Sequence, residues 1–380
     1  MKRFFGILVA GFLGLSGFPA IDGGLLPQIL EESGRGISFE YALERKNARD
    51  TGLINIASQE IILERQLREM ERDMRDANIR GNRRSHYTMG EVEVLRANHA
   101  LETTERRLEI NREQIRLGNE ILLRNAIGEI EGLRLDVLQA GAQIDFEERS
   151  LNIARLRYDM GVESALAVRD AETSLNRARL NLESAELALA DARLTLNSHL
   201  GFAPDEEIFV RMNRQAGSPL ALNQRILQIG SEPSLQLLEL ELETARYMEF
   251  SYQDLLRFAE RDRRYVYRGV MQDSTNTIEL ANAIEAAELA ILDARDNLEI
   301  ELVGQYSTLR NMLDNMEAIR ADLEDAVADY EYLLVRYEAG LVTQIEIFGQ
   351  LLQILTLEIN LSALENNYSI ALFNYNNPGL

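Results

Sequence analysis

Two short stretches decide how this chain folds. One reads Arg157-Tyr158-Asp159-Met160-Gly161-Val162-Glu163-Ser164, the other Arg336-Tyr337-Glu338-Ala339-Gly340-Leu341-Val342-Thr343. Both follow the pattern Arg-Tyr-acid-x-Gly-aliphatic-x-hydroxyl. Each closes a long heptad segment and opens a shorter one, so the chain reads as two copies of one unit. Glycine just past a helix end suits a left-handed residue, where a Cβ is costly.

The heptads spread outward from these turns. Before Gly340 run Met316, Ile319, Leu323, Ala326, Tyr330, Leu333 and Tyr337; before Gly161, Val137, Ala140, Ile144, Glu147, Leu151, Ala154 and Tyr158. After Gly161 come Ala171, Leu175, Ala178, Leu182, Ala185, Leu189, Ala192 and Leu196; after Gly340, Ile354, Leu357, Leu361, Leu364, Tyr368, Ala371 and Tyr375. Steps of three and four place each set on one stripe that needs a partner helix. Each copy then predicts a helix of about 45 residues, a turn, one of about 65 to 75, the glycine tip, and one of about 35. At 1.5 Å per residue the longest spans roughly 100 Å. The expected fold is all-α, two tandem repeats of long coiled-coil helices. Residues 37–201 would form the first repeat, 202–222 a linker with Pro204, Gly217 and Pro219, and 223–380 the second.

Composition supports long packed helices and excludes several functions. The 380 residues carry a net charge of −22, which disfavours nucleic acid as a partner. There is no cysteine, hence no disulfide, thiolate metal site or cysteine nucleophile. His86, His99 and His199 share no ligand-like spacing and read as exposed residues near helix ends. No nucleophile–base pair, phosphate loop or metal motif appears, so neither an enzyme nor a cofactor is expected. At the N-terminus Lys2 and Arg3 precede the apolar run Phe4–Phe18. Residues 1–21 read as a secretory signal peptide, or as an uncleaved anchor because Phe18 is large for a cleavage site. Either places the chain outside the cytoplasm. No later segment is expected to be apolar enough to span a membrane as a helix.

The two tips, with Ile37-Ser38-Phe39-Glu40-Tyr41-Ala42-Leu43 at the start of the first helix, resemble the TolC family of outer-membrane efflux and secretion channels. The resemblance covers nearly all of the chain beyond residue 36. It implies a homotrimer whose helices form a hollow α-barrel. It also implies partners, a periplasmic adaptor (membrane fusion) protein and an inner-membrane pump, with substrates entering at the tips. Gly161, Val162, Ser164, Gly340, Leu341 and Thr343 then become adaptor contacts. Glu346 matches the family's acidic entrance residue six places after the glycine, where the first copy has Ala167. Asp170, nine places after its glycine, supplies a second acid, where the other copy has Gly349. Rings of these carboxylates would favour cations at a narrow mouth; the plainer reading is exposed acid on an acidic helix. Tyr158 and Tyr337 fall on the seam, so core packing is expected of them, with a hydroxyl latch as the alternative.

Family members place two transmembrane strands between the first and long helices of each repeat. Such strands need about 9–11 alternating residues. Here those segments, 72–90 and 257–276, carry arginines instead, among them Arg80, Arg83, Arg84, Arg263 and Arg264. The barrel strands are therefore expected to be missing or vestigial. The arginines read either as a basic apex for anionic lipid or wall polymer, or as solvated helix ends answering the helix dipole. Two functions remain: a conduit subunit of tripartite export, or an exported coiled-coil stalk without a lumen. A hollow trimer would distinguish the first from the second.

Overall fold

The computed structural model describes residues 35–76, 89–211, 217–261 and 274–377. Among them the chain is almost entirely helical. Strand β1 (Arg35–Ser38) leads into α1 (Phe39–Arg49) and α2 (Thr51–Asp76). The long α3 (Met89–Asp159) and α4 (Ala165–Leu200) complete the first copy. After β2 (Ile208–Arg211), the second copy runs through the short α5 (Leu222–Leu227), α6 (Pro233–Arg261), the long α7 (Ser274–Glu338) and α8 (Gln344–Asn376). The long helices have 71 and 65 residues, and those after the tips 36 and 33, close to the expected lengths.

The shorter first helices differ from expectation. What reads as one helix beyond residue 37 is broken at Asp50, whose Oδ1 accepts from the Gly52 and Leu53 amides at 2.9 and 3.2 Å and so caps α2. In the second copy the helix proper starts only at Pro233, a residue suited to a first helical turn because it has no amide to satisfy. The first-helix motif also splits. Ile37 and Ser38 end β1, which pairs in parallel with β2 (Ile37 opposite Val210), and Ser38 Oγ accepts from the Tyr41 amide at 3.2 Å to start α1. Four residues per strand are too few to announce themselves by alternation, and the linker reading missed them.

Contacts divide the chain into two compact units. The first comprises Met1–Leu43, Leu122–Gly217 and Thr308–Leu372; the second Glu44–Ile121, Ser218–Ser307 and Phe373–Leu380. The first unit holds both tips. There α3 and α4 pack through Ile144, Leu151, Leu175 and Ala178, the residues of the expected seam. A second stripe on α3, with Leu135, Leu138 and Phe146, packs with α7 and α8 around Tyr330, Ile347, Leu351 and Ile354. Side chains of α8 lie close against the α3 backbone at Gly128. A Cβ there would meet Asn366 Nδ2 at 2.7 Å, and Asn366 donates to the Gly128 carbonyl at 3.1 Å. Helix α8 is consequently buried on more than the one stripe expected. It is also long and apolar enough to cross a membrane by length and composition alone, contrary to expectation. Its burial among α3 and α7 accounts for that composition.

In the second unit, α2 lies on the N-terminal part of α3 through Ile56, Leu63 and Leu108. His99 of α3 stacks on Tyr247 of α6 with ring centroids 3.8 Å apart. This corrects the expectation of an exposed histidine: the side chain is half-buried and its Nε2 is out of contact with solvent. Helix amphipathicity explains the change, because His99 lies mid-turn on the face that α6 covers.

Candidate functional site: the paired tips

The two glycine turns are closed by the same pair of backbone bonds. At the first, the Gly161 amide donates to the Tyr158 carbonyl and the Val162 amide to the Arg157 carbonyl, each at 2.8 Å. At the second, Gly340 donates to Tyr337 and Leu341 to Arg336, again at 2.8 Å. These are paired bonds from the two residues past a helix end back into its last turn, which satisfy otherwise orphaned carbonyls. They require a left-handed residue, and Gly161 and Gly340 have φ of 73° and 70°. A Cβ at either would meet nothing within 4 Å, so backbone conformation and not space selects glycine there.

The next helices start directly after the hydroxyl residues of the tip motif. Ser164, with extended backbone, accepts from the Ala167 amide at 3.3 Å. Thr343 makes a fuller cap. Glu346 Oε2 accepts from the Thr343 amide at 2.5 Å and from the Thr343 hydroxyl at 2.8 Å. This is one half of a capping box, the third helical residue reaching back to the cap amide, while the Thr343 hydroxyl donates to the same carboxylate. Glu346, singled out as an entrance acid, thus also fastens α8 to its tip. The first copy has Ala167 there and makes only the single bond.

Those bonds hold the Glu346 carboxyl below the usual carboxylate range. The Thr343 amide contributes most, then the hydroxyl, with Arg336 adding a smaller attraction. A depressed folded-state pKa gives stability that is present above the unfolded value and lost as pH falls through the folded one. Acidification should therefore release the first turn of α8 before that of α4. Amide exchange followed from pH 6 towards pH 3 checks this: residues 344–348 should lose protection at higher pH than 165–169. Simultaneous loss would remove the capping role.

Around each turn, matched apolar side chains stand in solvent: Leu156 and Val335, Tyr158 and Tyr337, Val162 and Leu341. Tyr158 and Tyr337 are 47% and 37% exposed, so the packing expected of them is corrected. The seam runs out before the tip, where these side chains are exposed among the described residues. Asp170 and Glu346 are both exposed, on α4 and α8. Asp170 is the sixth residue of its helix and Glu346 the third of its own, a difference of about 4.5 Å along a helix axis. The arginines named for a basic apex, Arg80, Arg83, Arg84, Arg263 and Arg264, lie outside the described residues, as do residues 1–21. Among the described residues no group of three metal-binding side chains comes together.

Sequence reading missed a buried centre in the second unit. Arg225 of α5 donates through Nη2 to Glu232 at 2.6 Å and through Nε to the Tyr375 carbonyl at 2.7 Å. Tyr375 in turn donates its hydroxyl to the Leu220 carbonyl at 3.0 Å. The inter-repeat connection is thereby fastened to the last turn of α8. An arginine inside the otherwise ordinary stretch Leu222–Leu227 carries no pattern that would reveal this.

No protein-family model matches the chain. No curated protein matches it by sequence. Solved structures do match. The outer membrane protein VceC from Vibrio cholerae has a TM-score of 0.62 at 12% identity, covering 90% of this chain and 96% of that one. A membrane protein from Pseudomonas aeruginosa has a TM-score of 0.64 at 12% identity, covering 90% of each chain. The Campylobacter jejuni CmeC outer membrane channel has a TM-score of 0.54 at 12% identity, covering 88% of this chain and 84% of that one. Duplicated glycine tips, long paired helices and these likenesses agree that the chain has the helical fold of the outer-membrane channels, as its resemblance to the TolC family implies.

Proposed function

We propose that this chain is the conduit subunit of a tripartite export system in the cell envelope. Three copies would surround a lumen. A periplasmic adaptor would dock on the tips, and an inner-membrane pump would deliver substrate there for passage across the periplasm towards the outer membrane. The observation that carries this is the pair of tips: closed by the same two bonds at each glycine turn, rimmed by matched exposed apolar side chains, and set on the fold of outer-membrane channels. Exposed Val162, Leu341, Tyr158 and Tyr337 suit a helical hairpin from a protein partner, since clustered apolar side chains in solvent mark interaction sites. Asp170 and Glu346 would form two carboxylate rings near the mouth, favouring cations. The arginines of segments 72–90 and 257–276 would meet anionic headgroups or wall polymer.

Imaging the purified full chain tests the reading. The expected particle is hollow, with three times the chain's mass of 43.1 kDa. A monomer, or a solid bundle with no central opening, would sink it in favour of a structural stalk.

A further inference from the structure

The first tip carries a reactive residue that the second lacks. With Gly161 aligned on Gly340, Met160 falls on Ala339. Met160 stands just past the end of α3, where its amide still donates to the Leu156 carbonyl at 3.1 Å. Its side chain is 68% exposed, and Leu156, Tyr158 and Val162 around it in sequence are exposed as well. Among the methionines whose side chains are described, Met160 alone is exposed. Met70, Met74, Met248 and Met312 are partly covered, and Met316 is only 4% exposed.

Oxidation of a methionine follows access to its sulfur, so exposure singles out this one. The chain has no cysteine, and hence no thiolate that would take an oxidant first. A thioether is flexible and apolar, which suits it to a docking contact for as long as it stays reduced.

We infer that Met160 is an oxidation site, and that its conversion to the sulfoxide by a peroxide weakens partner docking at the first tip while leaving the second tip unaltered. The sulfur lone pair attacks one oxygen of hydrogen peroxide. An S–O bond forms as the O–O bond breaks. The proton on the transferred oxygen passes to the departing hydroxide, which leaves as water. Sulfur loses two electrons and the peroxide gains them. The product is polar and chiral where the thioether was apolar, and a sulfoxide reductase restores it. Covering the sulfoxide against an apolar partner without a hydrogen bond should weaken that contact about tenfold or more. Ala339 has no sulfur to oxidise, and the second turn keeps its Thr343–Glu346 bonds. Each chain then retains one working tip, so oxidation slows export rather than stopping it. This regulation rests on the conduit reading, because it acts through adaptor docking at the tips.

The test begins with the purified full chain, treated with hydrogen peroxide and followed by peptide mass spectrometry. Met160 should gain its oxygen about tenfold faster than Met248, Met312 or Met316. In cells that export the cationic dye ethidium through a system using this chain, a peroxide pulse should slow efflux severalfold. The Met160→Leu chain, pulsed alike, should keep its own untreated rate. Met160→Gln, a polar side chain of similar length, should be slow without peroxide. Circular dichroism of the three chains should coincide, because the side chain stands in solvent. Oxidation of Met160 no faster than that of Met316 overturns the inference and leaves the conduit reading standing. So does equal slowing of the Met160→Leu chain by peroxide, or efflux by Met160→Gln at the parent rate. Efflux that never depends on the chain overturns both.

Discussion

Replacing Arg225 by Met should lower stability by about 3–5 kcal/mol, the scale expected when one member of a buried ion pair is removed. The side chains of Arg225 and Glu232 are 1% and 3% exposed, so water cannot replace the lost partner. The Tyr375 carbonyl would lose its donor in the same step. Burial already pushes the Glu232 carboxyl upward, while its hydrogen bond to Arg225 and the arginine's charge pull it down. Without the arginine, burial and the charge of Glu301 would both push upward unopposed, so the variant should favour protonation of Glu232 more than the parent does. Its deficit should therefore shrink as pH falls, since a neutral carboxyl needs no cation. Removing both charges, with Arg225→Met and Glu232→Leu, should recover a large part of the loss. Denaturant unfolding of the four chains of this cycle measures the coupling directly. A single-variant loss below about 1 kcal/mol would put the pair in the class of exposed ion pairs and end its role as the fastening of the inter-repeat connection.

The second large effect concerns export. Changing Gly161 and Gly340 to Val should abolish transport through an assembled system while leaving helix content nearly intact. A β-branched residue is costly in the left-handed region, by at least about 1–2 kcal/mol at each turn. That cost falls on the turns alone, because a Cβ at either position meets no neighbouring atom. Each chain would relieve the strain by opening the paired 2.8 Å bonds that set the tip, and Val162 and Leu341 would shift with them. The core contacts around Ile144 and Tyr330 lie on the helix bodies and would remain. Circular dichroism and an efflux assay on the same variant separate the two effects. Transport at the parent rate would show that no partner reads the tips.

Much of this fold was legible because heptad spacing is a local property. Steps of three and four residues on α3, α4, α7 and α8 require a stripe, and the glycine and hydroxyl residues that bound them report turn geometry directly. The duplication, the helix lengths near the tips and the α3–α4 seam follow from those residues alone. Other features depend on what lies across space. Leu135, Leu138 and Phe146 make a second stripe on α3 whose use is decided by the arrival of α8, and a sequence periodicity cannot say which of two stripes meets which helix. Tyr158 and Tyr337 obey the heptad yet stand in water, because a seam continues only while a partner helix lies beside it. Glu346 reads as an acid near a mouth, whereas its bonds to Thr343 exist only once the turn has formed. The pairing of β1 with β2 and the burial of Arg225 on the Tyr375 carbonyl join segments far apart in the chain. Local pattern sets which faces must be covered; the tertiary structure alone decides what covers them, because burial is a property of neighbours and not of spacing.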